Sequence, residues 1–131
     1  MEIRDVRDAE IESVRQLLIA NGWGHRVDDA ARFARTLARS QRTAVAAVQD
    51  EIVAFGRAIC DGESNGYLSM LVVAPAWRRR GVGRAIVEHL TRDTPNVTWM
   101  LRAGRPDAAA FFARLGFVAS AIAMERLRGA L

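Results

Sequence analysis

One stretch of the sequence, residues 66–91, limits what this chain can fold into more than any other. Residues 67–73 are apolar and Pro75 follows them, which predicts a buried strand. A basic loop with two glycines comes next, and residues 85–91 have the periodicity of an amphipathic helix. The stretch therefore predicts a strand, a glycine-containing loop and the N-terminus of a helix, in that order.

Such an arrangement is typical of a phosphate-binding site. The first N–H groups of a helix have no partner within it, the helix dipole adds partial positive charge, and glycines let a ligand approach the backbone. The consecutive arginines Arg78, Arg79 and Arg80 add charged donors. A glycine pair before a helix can also be only a tight turn, and an arginine run only a solvated surface.

The spacing of the residues is more specific than this mechanism. The apolar strand is followed by Pro75, Trp77 and the pattern RxxGxG at residues 78–83. This order resembles the acetyl-CoA loop of the GNAT superfamily of N-acyltransferases. The run FFARLGF at residues 111–117 is similar to the second signature of that family. The two motifs together cover about the C-terminal half of the chain.

Length and composition are typical of a globular domain. The 131 residues suit a single domain, 1–131, and a hydrophobic fraction of 50% argues against disorder. No apolar run approaches the ~20 residues of a membrane span, and the charged first residues are unlike a secretory signal. The single cysteine, Cys60, allows no internal disulfide, so we expect a cytoplasmic protein.

The net charge of +4 comes with 19 basic residues, all of them arginine. Together with a sequence pI of about 10.8, this excess raises the hypothesis of a nucleic-acid-binding domain. The arginines are spread over the whole chain, however, and no recognition-helix pattern is visible. The phosphates of a CoA-type cofactor account for the one dense cluster more simply.

Periodicity and turn signals predict the element order β-α-α-β-β-β-α-β-α-β. The expected strands are residues 3–6, 43–49, 52–60, 67–73, 97–102 and 117–126. The expected helices run from Asp8 to about residue 20, from Asp28 or Asp29 to residue 40, over 85–91, and from Gly104-Arg105-Pro106 to Gly116. A helical crossover separates strands 67–73 and 97–102, so the two should run parallel.

The resemblance implies an α/β fold, GNAT-like, with a mixed central sheet. Strands 67–73 and 97–102 are expected to splay apart and to hold the pantetheine arm of the cofactor between them. Family members usually end in two strands, whereas the residues after Phe117 leave room for one. The acceptor pocket is therefore expected to be open or to be completed by a second subunit, which favours a homodimer.

The resemblance also implies which residues contact the cofactor. Backbone groups of Leu71, Val72 and Val73 are expected to pair with the pantetheine, and one N–H near Leu71 or Val72 to polarise the thioester carbonyl. The loop expected at the pyrophosphate contains Arg78, Arg79, Arg80, Gly81, Val82, Gly83 and Arg84, in which Arg78 braces the loop. Phe112, in the second signature, is expected beside the cofactor.

The groups that often handle protons in this family are missing. Phe112 stands where a tyrosine acid is common, Met70 and Met100 hold strand positions where a carboxylate is common, and Arg105 replaces a common asparagine. Three hypotheses stay open. Water carries the protons, another residue is the base, or the chain binds acyl-CoA without transferring the acyl group.

The loop between the first two helices borders the acceptor site in this family. His25 in this loop is the candidate base, since imidazole titrates near neutrality, and Trp23 is a candidate wall for an amine. Ser69 is a candidate hydrogen-bond partner of the acceptor or thioester. The strand arginines Arg57 and Arg102 suggest an acidic group on the acceptor. All of these also have plain structural explanations, as exposed, core or outward-facing side chains.

The sequence as a whole predicts an N-acetyltransferase. It is expected to move an acetyl group from acetyl-CoA directly to a primary amine in a ternary complex, and to release CoA. No metal is implied, because no Cys/His cluster has ligand spacing. The alternatives are a non-catalytic acyl-CoA sensor and, less favoured, the nucleic-acid-binding domain. The sequence does not identify the acceptor, which is a small-molecule or peptide amine, nor the oligomeric state.

Overall fold

The fold is a five-stranded sheet with helices on both faces, seen in a computed structural model that describes residues 1–130. The strands are β1 (Glu2–Arg4), β2 (Arg42–Val48), β3 (Glu51–Cys60), β4 (Asn65–Val73) and β5 (Thr98–Met100). The helices are α1 (Ile11–Leu18), α2 (Ala30–Ala38), α3 (Val82–Thr91) and α4 (Ala108–Ala113). The predicted mixed α/β architecture is confirmed.

The strands lie side by side in the order in which they occur along the chain. Strands β1 to β4 form antiparallel pairs, and β5 pairs with β4 in parallel. The parallel pair is the one predicted from the crossover, because α3 carries the chain from the end of β4 back to the start of β5. No helix among residues 1–130 is long and apolar enough to cross a membrane.

The core has two layers, one on each face of the sheet. Helices α1 and α2 cover one face, where the buried side chains are Val14, Leu18, Val27, Phe33, Leu37, Val45, Phe55, Met70 and Val72. Helices α3 and α4 cover the other face, where Val82, Ile86, Val87, Leu90 and Phe112 pack on the small strand residues Ala44, Ala54 and Ala58. The apolar stripes read from the sequence therefore point inward, as amphipathic helices require.

One predicted helix cap is confirmed, whereas the bounds of two predicted helices differ from those observed. The Asp29 side chain accepts a hydrogen bond from the Arg32 N–H (3.0 Å), which confirms it as the N-cap of α2. The predicted first helix is divided into a 3₁₀ turn at Asp8–Glu10, α1, and an irregular segment at Ile19–Trp23. Pro106 lies before α4 rather than in its first turn, because Asp107 is the N-cap.

The strand predicted at residues 117–126 does not form. Val118, Ile122 and Met124 are 89%, 91% and 96% exposed, so no face of this segment is buried. A strand needs a neighbour for its backbone groups, and in residues 1–130 the outer edge of β5 has none. The segment is held instead by a side-chain contact, in which Arg102 Nε donates to Glu125 Oε2 (2.8 Å).

Candidate active site

The edge of β4 that faces β5 is open over most of its length. The two strands pair only at Asn65, Gly66 and Tyr67, opposite residues 98–100. Beyond Met100 the chain leaves the sheet, so no strand of residues 1–130 pairs with residues 68–73 on that side. This confirms the predicted separation of the two strands. Backbone groups on the open edge can pair with an extended ligand as a sixth strand would, and the residues predicted to do so, 71–73, lie on it.

A β-bulge lies within this open part of β4. In the pairing with β3, Arg57 faces Ser69 and Phe55 faces Val72, so a single β3 residue is opposite both Met70 and Leu71. Met70 has φ +58°, a left-handed conformation that a long side chain rarely adopts. Bulges of this kind are frequent beside active sites, because they redirect backbone groups locally. The bulge therefore lies where the carbonyl-polarising N–H is predicted.

The basic loop leads directly into the N-terminus of α3. Gly81, with φ +80°, is the residue before the helix, and the first helical bond runs from the Ala85 N–H to the Gly81 carbonyl (3.1 Å). The N–H groups of Val82, Gly83 and Arg84 precede that bond and point out of the helix end. A Cβ added at Gly81 would meet no atom of residues 1–130 within 4 Å. There is therefore open space for an anion at this end of the helix.

The second glycine of the loop has a packing role. A Cβ at Gly83 would lie 3.0 Å from Phe111 Cζ of α4 and 3.7 Å from Val73 Cγ2 of β4. Gly83 thus lets α3 approach both elements closely. Substitution of Gly83 would disturb this packing as well as any ligand bound at the helix end.

The arginines of the loop divide into braced and exposed ones. Arg78 Nε donates to the Val73 carbonyl (2.9 Å) and its Nη2 to Asn21 Oδ1 (3.2 Å), as a bracing role requires. Arg84 is tied to the end of α4 by a 3.3 Å bond to the Arg114 carbonyl. Arg79 and Arg80 are exposed, and the Arg80 guanidinium lies over the Trp77 ring at 5.1 Å. These two arginines are the ones available for a phosphate.

The segment that follows α1 connects the two sides of the split between β4 and β5. The Asn21 carbonyl accepts a bond from Arg105 Nη2 (2.8 Å), while its side-chain oxygen accepts the bond from Arg78. Arg78 follows β4 and Arg105 follows β5. The Arg105 guanidinium also lies 4.8 Å from the centre of the Trp23 ring. Arg105, at the position where an asparagine is common, therefore completes a set of hydrogen bonds that spans one end of the split.

Trp23 and Ser69 are partly buried in the structure, whereas His25 is exposed. Trp23 is half-buried, and its Nε1 is buried without a hydrogen-bond partner among residues 1–130. Ser69 is half-buried, two residues beyond Tyr67, where the pairing with β5 stops. His25 is exposed on the 3₁₀ turn Gly24–Arg26, and no described residue hydrogen-bonds to its ring.

The ring of Phe112 belongs to the core. Phe112 is 9% exposed, and its ring packs edge-on against Phe111, with centroids 4.9 Å apart, and against Phe117 at 5.6 Å. This packing by itself explains why an apolar residue occupies the position, and the explanation does not need a bound cofactor. The predicted contact between Phe112 and the cofactor stays a prediction.

Candidates that were predicted separately from the sequence, Ser69, Arg57 and Arg102, lie together in the structure. Register and alternation place Arg57 of β3, Tyr67 and Ser69 of β4, and Met100 and Arg102 around β5 on the α1–α2 face of the sheet. We call these five residues the arginine face. Tyr67 was missed, although a period of two relates it to Ser69. Arg26, on the adjoining loop, was missed because nothing in its local sequence links it to the strands.

Comparison with known proteins agrees with this geometry. A family model described as the acetyltransferase (GNAT) domain matches residues 39–119. The curated PanD regulatory factor of Salmonella typhimurium is 46% identical over 61 residues, which are 43% of this chain and 48% of that protein. The match thus spans about half the length of that relative.

Solved structures share the fold over nearly the whole chain. A GNAT-family protein of Xanthomonas campestris pv. campestris superimposes with a TM-score of 0.80 at 24% identity, over 100% of this chain and 96% of that one. A GNAT-family protein of Streptococcus pneumoniae gives 0.73 at 20% identity, over 96% and 97%. AAC(6')-Iy, in complex with the bisubstrate analog CoA-S-monomethyl-acetylneamine, gives 0.75 at 18% identity, over 97% of both chains.

Proposed function

The chain belongs to the GNAT family of acetyltransferases, and on that premise we propose that it transfers an acetyl group from acetyl-CoA to a primary amine. One geometric fact supports this most directly. The open edge of β4 ends beside the free N-terminus of α3, where a Cβ on Gly83 would lie 3.7 Å from Val73 Cγ2. A single extended ligand could therefore use both, with its pantetheine arm on the strand and its pyrophosphate at the helix end.

The transfer needs few groups from the protein. The lone pair of the neutral amine attacks the thioester carbonyl carbon, the C–N bond forms, and the C–S bond breaks with its electron pair leaving on sulfur. The nitrogen then loses one proton and the thiolate gains one, so no oxidant or reductant takes part. A backbone N–H at the bulge, near Leu71 or Val72, would stabilise the charge that develops on the carbonyl oxygen.

Proton transfer is assigned to the loop that follows α1 and to solvent. In this proposal His25 accepts the proton of the incoming ammonium, and Ser69 hydrogen-bonds the acceptor or thioester. The core ring of Phe112 has no proton to give, so water takes the second proton, which the nitrogen loses after attack, and delivers one to the departing thiolate. Trp23, whose ring is covered by Arg105 at 4.8 Å, forms a wall of the acceptor site.

The proposal is tested by calorimetric titration with acetyl-CoA, run beside a thiol-release assay over a panel of amines. We expect binding and amine-dependent thiol release. In the double variant Arg79→Gln/Arg80→Gln, the affinity should fall at least about tenfold, since two charged donors to phosphate are lost. The matched control is Arg35→Gln/Arg39→Gln, which removes one exposed arginine of α2 and the exposed arginine at its C-cap. Equal affinities of the two double variants would contradict the assignment of the loop.

A second candidate is an acyl-CoA-responsive regulator that transfers nothing. Two observations favour it, namely the name of the 46%-identical relative, a regulatory factor, and the apolar residues Phe112, Met70 and Met100 at positions that often handle protons. This candidate predicts tight acetyl-CoA binding with no thiol release from any amine. The same titration and assay therefore separate the two functions.

The proposal also covers location and assembly. We place the protein in the cytoplasm, since its one cysteine, Cys60, is a buried free thiol.

We further propose that a second copy of the chain covers the exposed apolar side chains of residues 118–127. A homodimer of this kind would complete the side of the sheet where a last strand is absent from residues 1–130.

A further inference from the structure

The arginine face is poor in acidic partners. Among residues 1–130, Arg102 is the member of this face that forms an ion pair, with Glu125 (2.8 Å). No described carboxylate lies within 4.0 Å of Arg57 or of the neighbouring Arg26. The face therefore carries positive charge that the described chain does not neutralise.

Arg57 is the most informative of these residues, because it is half-buried and incompletely bonded. Its Nη1 makes one long bond, 3.4 Å, to Ser40 Oγ. Its Nε is buried and has no hydrogen-bond partner among residues 1–130. A buried N–H donor without a partner costs folding free energy unless a ligand accepts its hydrogen bond. A carboxylate can do so, because it can form two parallel hydrogen bonds with the edge of the guanidinium that includes Nε.

The surroundings of Arg57 strengthen the case for an anion. Burial lowers the pKa of Arg57 below the ordinary guanidinium value, and the positive charge of Arg26 lowers it further. Arg26 is affected in the same way, by burial first and then by Arg128 and Arg102. Several arginines thus repel one another around Tyr67, and a bound anion would relieve that repulsion.

The chain itself shows that a carboxylate fits on this face. Glu125, from the segment after α4, reaches back to bind Arg102 and raises its pKa, an effect to which Tyr67 adds. Arg57 lies on β3, and Arg102 lies just after the end of β5, so β4 runs between them. A second carboxylate on Arg57 would therefore repeat, on the other side of β4, a contact that the fold already makes.

We infer that the acceptor amine carries a carboxylate, which binds Arg57 on the arginine face. This inference rests on the proposed transferase function and names the class of its substrate as amino acids. Arg57 lies opposite Ser69, which precedes Leu71 by two residues, at most about 7 Å along a strand that the bulge at Met70 bends. A compact amino acid bound at Arg57 would therefore hold its amine near the position predicted for the thioester carbonyl.

The first test is substrate preference. Thiol release from acetyl-CoA is measured with L-amino acids of several side-chain types, each paired with its α-amide, and with phosphoethanolamine. We expect kcat/KM at least tenfold higher for the carboxylate than for its amide. In Arg57→Met this preference should disappear, while the affinity for acetyl-CoA stays unchanged. The matched control is Arg35→Met, which removes an exposed arginine of α2 and should keep the preference.

The second test does not depend on catalysis. N-acetylglycine and N-acetylglycinamide are titrated into the CoA-loaded protein and followed by ligand-observed NMR. We expect the carboxylate to bind the wild-type protein, and its Kd to rise at least tenfold in Arg57→Met. Equal binding of acid and amide, or equal binding by wild type and Arg57→Met, would overturn the inference. A preference for phosphoethanolamine over every amino acid would overturn it as well.

The two tests distinguish failure of the inference from failure of the proposed function. If no amine releases thiol but N-acetylglycine binds through Arg57, the transferase is contradicted and the carboxylate site stands. If thiol release is equally fast with the amides, the transferase stands and the carboxylate site is contradicted. Loss of acetyl-CoA binding in Arg57→Met would assign the residue to the fold or to cofactor binding, against the inference.

Discussion

Single residues decide how this site differs from the pattern of its family. The positions that often supply an acid or a base hold Phe112, Met70 and Met100, and the structure buries the first two in opposite layers of the core. Arginines lie instead on the face that borders the proposed acceptor. In the proposed function, these arginines bind and orient an anionic acceptor.

His25→Ala is the residue-scale prediction. A general base acts only when deprotonated, so kcat/KM should rise with pH in the wild-type enzyme and lose this acid limb in the variant. We expect a rate at least about tenfold lower near neutral pH, measured by thiol release across a pH series. Unchanged profiles in His25→Ala would leave water as the base. His89→Ala is the control, because His89 lies on α3, where its ring pairs with Asp5 (2.7 Å), and not on the loop that holds His25.

At the scale of elements, the split between β4 and β5 depends on a short parallel contact. Gly66 of β4 faces Trp99 of β5, whose indole Nε1 donates to Thr94 Oγ1 (3.0 Å). A Cβ at Gly66 would lie 2.5 Å from the ring atoms Cε3 and Cζ3 of Trp99. The absence of a side chain at Gly66 therefore allows the ring to cover the strand where pairing begins.

Gly66→Ala should destabilise the protein by about 1–3 kcal/mol, the usual effect of overpacking a filled site. The expected fall in Tm is several degrees in a thermal melt. Gly104→Ala is the matched control, since a Cβ there would meet nothing within 4 Å and φ is not positive. Equal melting temperatures of the two variants would show that the Trp99 ring moves aside freely.

At the scale of the whole molecule, the unusual feature is the C-terminal segment. Ile122 and Met124 are more than nine-tenths exposed, and the outer edge of β5 has no strand beside it in residues 1–130. Exposed apolar side chains next to an unpaired strand edge are typical of an association surface. The same segment carries Glu125, which binds Arg102, so the surface adjoins the arginine face.

We predict a dimer in sedimentation experiments, because burial of these side chains by a second copy removes apolar surface from water. Ile122→Asp should shift the protein to monomer without changing its circular dichroism spectrum, since the side chain is 91% exposed. Ala31→Asp, on the exposed side of α2, should leave the dimer intact. If the wild-type protein sediments as a monomer even at a protein concentration of about 100 µM, the proposed assembly is contradicted.

Local patterns determined much of this protein from the sequence. Residues 66–91 could be predicted as a strand, a glycine-containing loop and a helix. The signals for them, turn residues, apolar periodicity and unpaired groups at a helix end, depend only on residues close together in the sequence. The same holds for the cap at Asp29 and for the order of the first nine elements. The parallel pairing of β4 and β5 followed from one topological rule.

Tertiary structure decided what depends on distant partners. The strand expected at residues 117–126 is absent because strand formation requires a neighbouring edge and a buried face, and local propensity provides neither. Arg26, Arg57 and Arg102 are far apart in sequence, so their meeting around Tyr67 was visible only after the strand register was known. The bulge at Met70 likewise arises from pairing with β3, because register is a property of two strands and not of one.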